Sequence, residues 1–401
     1  MKTKFSNILL IIICSINIYS QNIENNSISN FINIRVGAER TNYYLNWVKG
    51  KNVAIVANQT STIGKTHIVD TLLSLKVNIV KIFCPEHGFR GEAEAGAYIY
   101  SDIDYRTGIP IISLFGSTKK PSLNSLDDVD IVVFDIQDVG ARFYTYISTL
   151  HYVMEACAEK NKQLLVFDRP NPNGYFIDGP VLKRNFKSFV GMHPVPISHG
   201  MTIGEYAKMI NGEMWLCDSI KCNLTIIPVL NYTHFYRYKL PIAPSPNLQT
   251  MQAIYLYPSL CLFEGTAMSI GRGTNKPFEV LGHPTLPIGN FTFIPMSIHG
   301  KSENPIYKDK VNTGFDLSEY ANVFLKENNE INLFWIIDMY NNFENKNEFF
   351  NNFFDKLAGD SLLRYQIING MTENQIKNSW KPEIAKFKQI RKKYLLYPDF
   401  E

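Results

Sequence analysis

The 401-residue sequence contains no CxxC pair, which argues against zinc-ribbon sites, and no HExxH, the zinc motif of many metalloproteases. It has no GxSxG for an α/β-hydrolase serine, and neither GxGxxG nor GxxxxGK[ST] for a dinucleotide or phosphate loop. After about Gln21 no apolar run is long enough to span a bilayer. Net charge is small: the formal +3 falls to +1 without residues 1–20, which hold two lysines and no acid. So nearly neutral a chain offers no argument for nucleic acid or an anionic membrane as partner. Cysteine is sparse, and the five that follow residue 20 are an odd number, against a full disulfide framework. Cys217 and Cys222 of "CDSIKC" could close a small loop, whereas Cys84 and Cys157 sit in the apolar contexts of core thiols.

What is present suffices for a substantial core: 45% of residues are hydrophobic, and the length suits two domains. Lys2 and Lys4 precede the apolar run Ile8 to Ile13, and Ser20 offers a small residue for cleavage before Gln21. That pattern predicts a signal peptide over residues 1–20 and an exported protein, periplasmic or secreted. A lipoprotein is the weaker reading, because Ile13 stands before Cys14 where a small residue is expected.

Short continuous apolar runs alternate with helical spacing in the first half. "KNVAIVANQT" (51–60), "VNIVKIFCPEHG" (77–88), "IPIISLFGS" (109–117), "VDIVVFDIQDVG" (129–140) and "QLLVFDRPNPNG" (163–174) read as strands. "HIVDTLLSLK" (67–76) and "TYISTLHYVMEACAEKN" (145–161) read as helices. The alternation predicts an α/β fold, a Rossmann-like doubly wound parallel sheet over residues 30–190. From about residue 190 proline and glycine become frequent, and a second, mixed α+β domain is expected over 191–401. Thr202 and Glu205 fit a capping box opening a helix, and Trp380, Ile384, Phe387, Ile390 and Tyr394 mark one face of a terminal helix.

In open parallel sheets ligands bind beyond the carboxyl ends of the strands. Here those ends carry Asn58 and Gln59, then Glu86 and His87, then Asp135, Gln137 and Asp138, then Asp168, Arg169 and Asn171. Any one of these could simply cap a helix, but four ends of five converging on amides, acids and bases read as one polar crevice. The richest is "FCPEHGFRGEAEAGAY" (83–98), where Pro85 and glycines 88, 91 and 96 frame Glu86, His87 and Arg90. A carboxylate partly desolvated there could serve as a proton donor at neutral pH. The bland alternative makes Glu86 an ion-pair acid for Arg90 or Arg142. "DIQDVGARFYTY" (135–146) adds Arg142 and Tyr144, whose ring suits a sugar face or plain packing. "FEGTAMSIGRGTNKPFEVLG" (263–282) adds Glu264 and Arg272, the latter suited to a carboxylate, and "SHGMT" adds His199. "PSPNL" (244–248) reads as a rigid structural turn. A metal site from His87, Asp135 and Asp168 lacks a diagnostic spacing.

Seven segments together resemble the exo-β-N-acetylmuramidase family, long a domain family of unknown function. They are "PEHGFRGEAEAG", "FDIQDVGARFYTYISTL", "DRPNPNG", "HGMTIGEYAKMINGE", "PSPNL", "FEGTAMSIGRGTNKPFE" and "IRKKYLLYPDF". The resemblance runs from about residue 34 to the C-terminus. It implies a Rossmann-like domain, a smaller C-terminal domain and a cleft between them. It also implies an exo-acting glycosidase, without cofactor, that removes non-reducing terminal N-acetylmuramic acid (MurNAc) from peptidoglycan fragments such as MurNAc-GlcNAc saccharides. On the matching positions, Glu86 would be the catalytic acid, with the "DIQD" acids, Arg142, Tyr144 and the "FEGT…GRGT" loop around the same cleft. Two departures are the glutamates of "GEAEAG", where aspartates are expected in its second half, and His299, where a smaller or stiffer residue is expected.

Glycoside hydrolysis asks for a proton donor and a second carboxylate or a substitute, such as the substrate's own N-acetyl oxygen. Glu264, Asp135 and Asp138 compete for the second place. The lactyl carboxylate of the substrate asks for a cation, and Arg90, Arg142 and Arg272 are the candidates. The sequence leaves two rival readings: a non-catalytic muropeptide binder that keeps the cleft, and another wall-fragment hydrolase, an esterase or a metal-dependent amidase.

Overall fold

The computed structural model describes residues 33–90 and 101–401; the expected signal peptide and the glutamates 92 and 94 lie outside the described residues. Residues 35–401 form one compact unit.

Its centre is a seven-stranded sheet built from β1 (Asn52–Ala57), β2 (Asn78–Cys84), β3 (Asp102–Ile103), β4 (Pro110–Ser113), β5 (Ile131–Asp135), β6 (Gln163–Phe167) and β7 (Asn223–Ile227). The order is β3-β4-β2-β1-β5-β6-β7, and all pairings are parallel except that of the short edge strand β3 with β4. Because side chains alternate across a strand, each apolar run supplies two cores at once. Ala54, Val56, Val132, Phe134, Leu164 and Val166 enter one, while Val53, Ile55, Ala57, Val133, Leu165 and Phe167 enter the other. The first is covered by α3 (Tyr146–Glu159) and α4 (Ile203–Gly212), through residues such as Leu150, Met154 and Tyr206. The second is covered by α1 (Thr41–Val48) and α2 (Ile68–Ser74), through Tyr44, Val48, Ile68 and Leu72. With both faces buried, the strands need no polar alternation, which is why they read as continuous apolar runs.

The five strands expected from the sequence are all present, and two edge strands are added. The last, β7, lies beyond residue 190 and pairs in parallel with β6, so the large sheet runs past the change of texture at that point. Its mostly half-buried residues give an edge strand too weak a hydrophobic signature to stand out. The Thr202–Glu205 capping box opens α4: the Glu205 N–H donates to the Thr202 hydroxyl, and the Thr202 N–H donates to the Glu205 carboxylate. After α5 (Met251–Leu260) comes a three-stranded antiparallel sheet of β8 (Val280–His283), β9 (Phe291–Phe293) and β10 (Asn312–Asp316), ordered β8-β10-β9. Helices follow, ending in Glu373–Arg391, where Trp380 and Phe387 are buried and Ile384 and Ile390 pack against the core; Tyr394, expected on the same helix face, packs there too but lies past the helix end.

Candidate active site

Residue register sets the carboxyl ends of the central strands level: Val56 opposes Phe83 and Ala57 opposes Asp135. Just beyond β2, Pro85 to Gly88 form a turn closed by the Gly88 N–H on the Pro85 carbonyl at 3.0 Å. His87, its third residue, has φ +71°, as a type II turn requires there. The turn projects Glu86 from the sheet, where its Oε2 accepts from the Thr145 hydroxyl at 2.7 Å, one residue before α3.

Glu86 and His87 line a cleft of about 560 Å³, within the usual size for small-ligand sites. Tyr144, Thr145 and Tyr146 extend the same side. The rest of the lining comes largely from the second half of the chain: Ser245, Asn247, Tyr257, Glu264, Arg272, Phe278, Lys301 and Asn304. Glu264 is held by Arg272, whose Nε donates to Oε1 at 2.6 Å. That guanidinium sits on the turn Gly271–Thr274, where both glycines have positive φ. A Cβ on Gly273 would fall 2.5 Å from the Met296 carbonyl, so the turn and the following loop approach as only glycine permits. The floor is aromatic, with Tyr144 against Tyr257 at 5.8 Å and Tyr257 against Phe278 at 5.0 Å between ring centres. Burial raises the pKa of Tyr144 and Tyr257, so both phenols stay neutral near pH 7; the Tyr144 hydroxyl donates to the Pro244 carbonyl.

Of the residues predicted from sequence, the structure thus brings Glu86, His87, Tyr144, Glu264 and Arg272 to one cleft. The others, Arg90 apart, are turned inward. Asp135 is fully buried in a two-pronged ion pair with Arg169, at 2.6 and 2.9 Å, so these two strand-end charges answer each other. Asn58 accepts from the Thr60 N–H and hydroxyl and donates to the Tyr146 hydroxyl. Gln137 donates to the carbonyls of Asp138 and Pro170. Asp138 accepts from the Gly140 N–H, its other oxygen is buried without a partner, and burial pushes its pKa up to about 7. Asp168 accepts from Thr202, Gly204 and Tyr397, tying the start of α4 and the C-terminal tail to β6.

Arg142 is a correction to the expectation of a substrate cation. Its guanidinium donates to four carbonyls, those of Pro180, Val195, Leu357 and Ala358. The last two end the helix Phe354–Ala358, so Arg142 caps a helix C-terminus, where orphan carbonyls and the helix dipole favour a cation. His199 is likewise interior, packed on Tyr206 with Nδ1 accepting from the Met201 N–H; burial, with Arg391 and Arg142 nearby, pulls its pKa down to about 3. Arg90 pairs with Asp104 at 2.7 Å and lines a separate hollow with Gln59 and His67. The three groups weighed as metal ligands are engaged apart, and no cluster of three His, Cys, Asp or Glu among the described residues could hold a metal. Cys217 and Cys222 are both free thiols.

Sequence reading missed the cleft residues supplied by irregular segments. "PSPNL" is a turn, closed by the Leu248 N–H on the Ser245 carbonyl, yet it also presents Ser245 and Asn247 to the cleft. Its polar residues framed by prolines were the available signal. Lys301 and Asn304 come from "PMSIHGKSENP", in which His299 points to solvent and pairs with Glu303.

Comparison with known proteins covers nearly all of the described chain. Residues 53–252 match the family described as exo-beta-N-acetylmuramidase NamZ, N-terminal, and residues 255–397 its C-terminal counterpart. The chain is 37% identical over 374 residues to the peptidoglycan beta-N-acetylmuramidase NamZ of Bacillus subtilis, covering 88% of this chain and 89% of that protein. Two crystallised DUF1343 family proteins of Bacteroides fragilis share the fold. One has TM-score 0.86 and 47% identity over 92% of this chain and 99% of its own. The other has TM-score 0.76 and 28% identity over 91% and 99%.

Proposed function

The chain belongs to the NamZ exo-β-N-acetylmuramidase family, and from that premise we propose that it releases non-reducing terminal, β-1,4-linked MurNAc from peptidoglycan fragments in cell-wall turnover. It is a glycosidase in this reading, with Glu86 as the proton donor to the leaving oxygen. The observation that carries the assignment is the carboxylate's address: a turn beyond a central parallel strand, oriented by Thr145, on a cleft that Glu264 also lines. Glu264 is the second carboxylate on the lining, kept in place by Arg272. It serves either as nucleophile or base, or as the group that orients the substrate's N-acetyl oxygen. The aromatic floor supplies apolar faces for sugar rings.

The test is release of free MurNAc from MurNAc-β-1,4-GlcNAc, followed by mass spectrometry, with a GlcNAc-terminated disaccharide as control. Glu86→Gln is expected to lower kcat by about 10²–10⁴ while leaving binding in place. Release by that variant at the wild-type rate would move the acid elsewhere; binding without release by the wild-type chain would make the protein a muropeptide binder. We also propose export, on the pattern of Lys2, Lys4, the Ile8–Ile13 run and Ser20. Mass spectrometry of the exported protein should find Gln21 at its N-terminus, and an intact Met1 would overturn it.

A further inference from the structure

MurNAc differs from GlcNAc by a lactyl ether that ends in a carboxylate, so a site that tells them apart needs a cation. The three guanidinium groups that the sequence offered are engaged elsewhere or neutralised: Arg90 by Asp104, Arg142 by four carbonyls, Arg272 by Glu264. Lys301 lines the cleft as well, and its ammonium donates to an uncharged partner, the Gln249 side-chain oxygen, at 3.0 Å. Among the described residues no carboxylate forms an ion pair with it. An ammonium has three donors, so two remain for a ligand.

The residue is also held in place. Its carbonyl accepts from the Asn247 side chain at 2.8 Å, binding the loop to the "PSPNL" turn. Ile298 and Ser302 bridge across the loop, and the Met296 N–H donates to the Gly273 carbonyl at 2.7 Å, backing the loop onto the turn that bears Arg272. Since Glu264 answers Arg272, Lys301 is the cleft cation that meets no carboxylate among the described residues.

We propose that Lys301 pairs with the lactyl carboxylate of the terminal MurNAc and is the residue by which the cleft prefers MurNAc to GlcNAc. This rests on the muramidase reading above. The lactyl group is remote from the glycosidic bond being broken, so the contact is uniform binding: its loss raises KM and spares kcat.

The experiment compares MurNAc-β-1,4-GlcNAc with its neutral lactyl methylamide, using the wild-type chain, Lys301→Met and Lys301→Arg. One charge-assisted contact predicts a KM about tenfold higher for the amide than for the acid in the wild type. Lys301→Met should raise KM for the acid by about tenfold, leave KM for the amide within about twofold, and so lose the preference. Lys301→Arg should restore it, which a merely structural lysine would not require. An unchanged acid-over-amide ratio in Lys301→Met overturns the assignment alone. A wild-type chain that releases MurNAc from neither compound removes the muramidase reading, and the assignment with it.

Discussion

At the scale of single residues, one type of side chain does opposite work according to what answers its charge. Arg272 faces the cleft and fixes a carboxylate, whereas Arg142 is buried and closes a helix with its N–H fork. Burial draws the Arg142 pKa down to about 10, which still leaves it charged at neutral pH. A cation in that position is stabilised only while its acceptors surround it, and the acceptors depend on it in turn, Val195 excepted, whose carbonyl also accepts from the Leu182 N–H. Arg142→Met should therefore destabilise the fold by about 3 kcal/mol or more, by orphaning several buried carbonyls at once. Arg142→Lys should recover part of this, since a point charge cannot span the fork. Urea denaturation of the three proteins measures it; an Arg142→Met protein within about 0.5 kcal/mol of wild type would show that water replaces the guanidinium.

At the scale of elements, the regular parts were legible and the irregular ones were not. Two-faced apolar runs have one stable home, a covered parallel sheet, so β1, β2, β4, β5 and β6 followed from sequence, and with them the address of Glu86. Strand-end position alone does not say which way a polar side chain is satisfied. Asp135 and Arg169 stand on neighbouring strands and neutralise each other, and Asn58 folds back on Thr60, while Glu86 is carried out by its turn. That choice depends on pairing across β5 and β6, which no local pattern records. Much of the remaining lining is built of turns and a loop from residues far along the chain, where no periodicity points to Asn247 or Lys301. Glycine is the trace such loops do leave. Gly273→Ala adds a Cβ against the Met296 carbonyl at a φ of +80° and should push the 295–305 loop outward. The expected cost is about 1–3 kcal/mol, with a raised KM for MurNAc-terminated substrate. Gly64→Ala is the control, since its φ of +57° is strained but its surroundings are open. If both alanines cost the same and leave KM alone, the close approach of turn and loop has no bearing on the cleft.

At the scale of the whole molecule, the C-terminal tail is fastened to the start of α4 and the end of β6 through buried polar groups. Tyr397 donates to Asp168, the Leu396 N–H to Glu205, and Arg391 to the Gly200 carbonyl, so the terminal "LLYPDF" stretch closes over the end of β6. Buried ionisable groups of this kind make stability depend on pH, and two of them pull in opposite directions. Burial lowers His199 to about 3 from 6.5, so the folded state binds fewer protons than the unfolded chain between those values, and stability is lost as pH falls through that window. Burial raises Asp138 to about 7 from 3.8, so the folded state binds more protons there, and stability is lost as pH rises from about 4 to about 7. Asp138→Asn keeps an acceptor for the Gly140 N–H and removes the second term alone. Relative to wild type, the variant should gain stability with rising pH by up to about 1.4 kcal/mol per unit across pH 4–7, and gain no more above it. Urea titrations of both proteins at pH 5, 6, 7 and 8 read the difference directly. A difference constant with pH would mean that water or a neighbouring donor satisfies the second oxygen of Asp138 and that the carboxyl is ionised throughout the range.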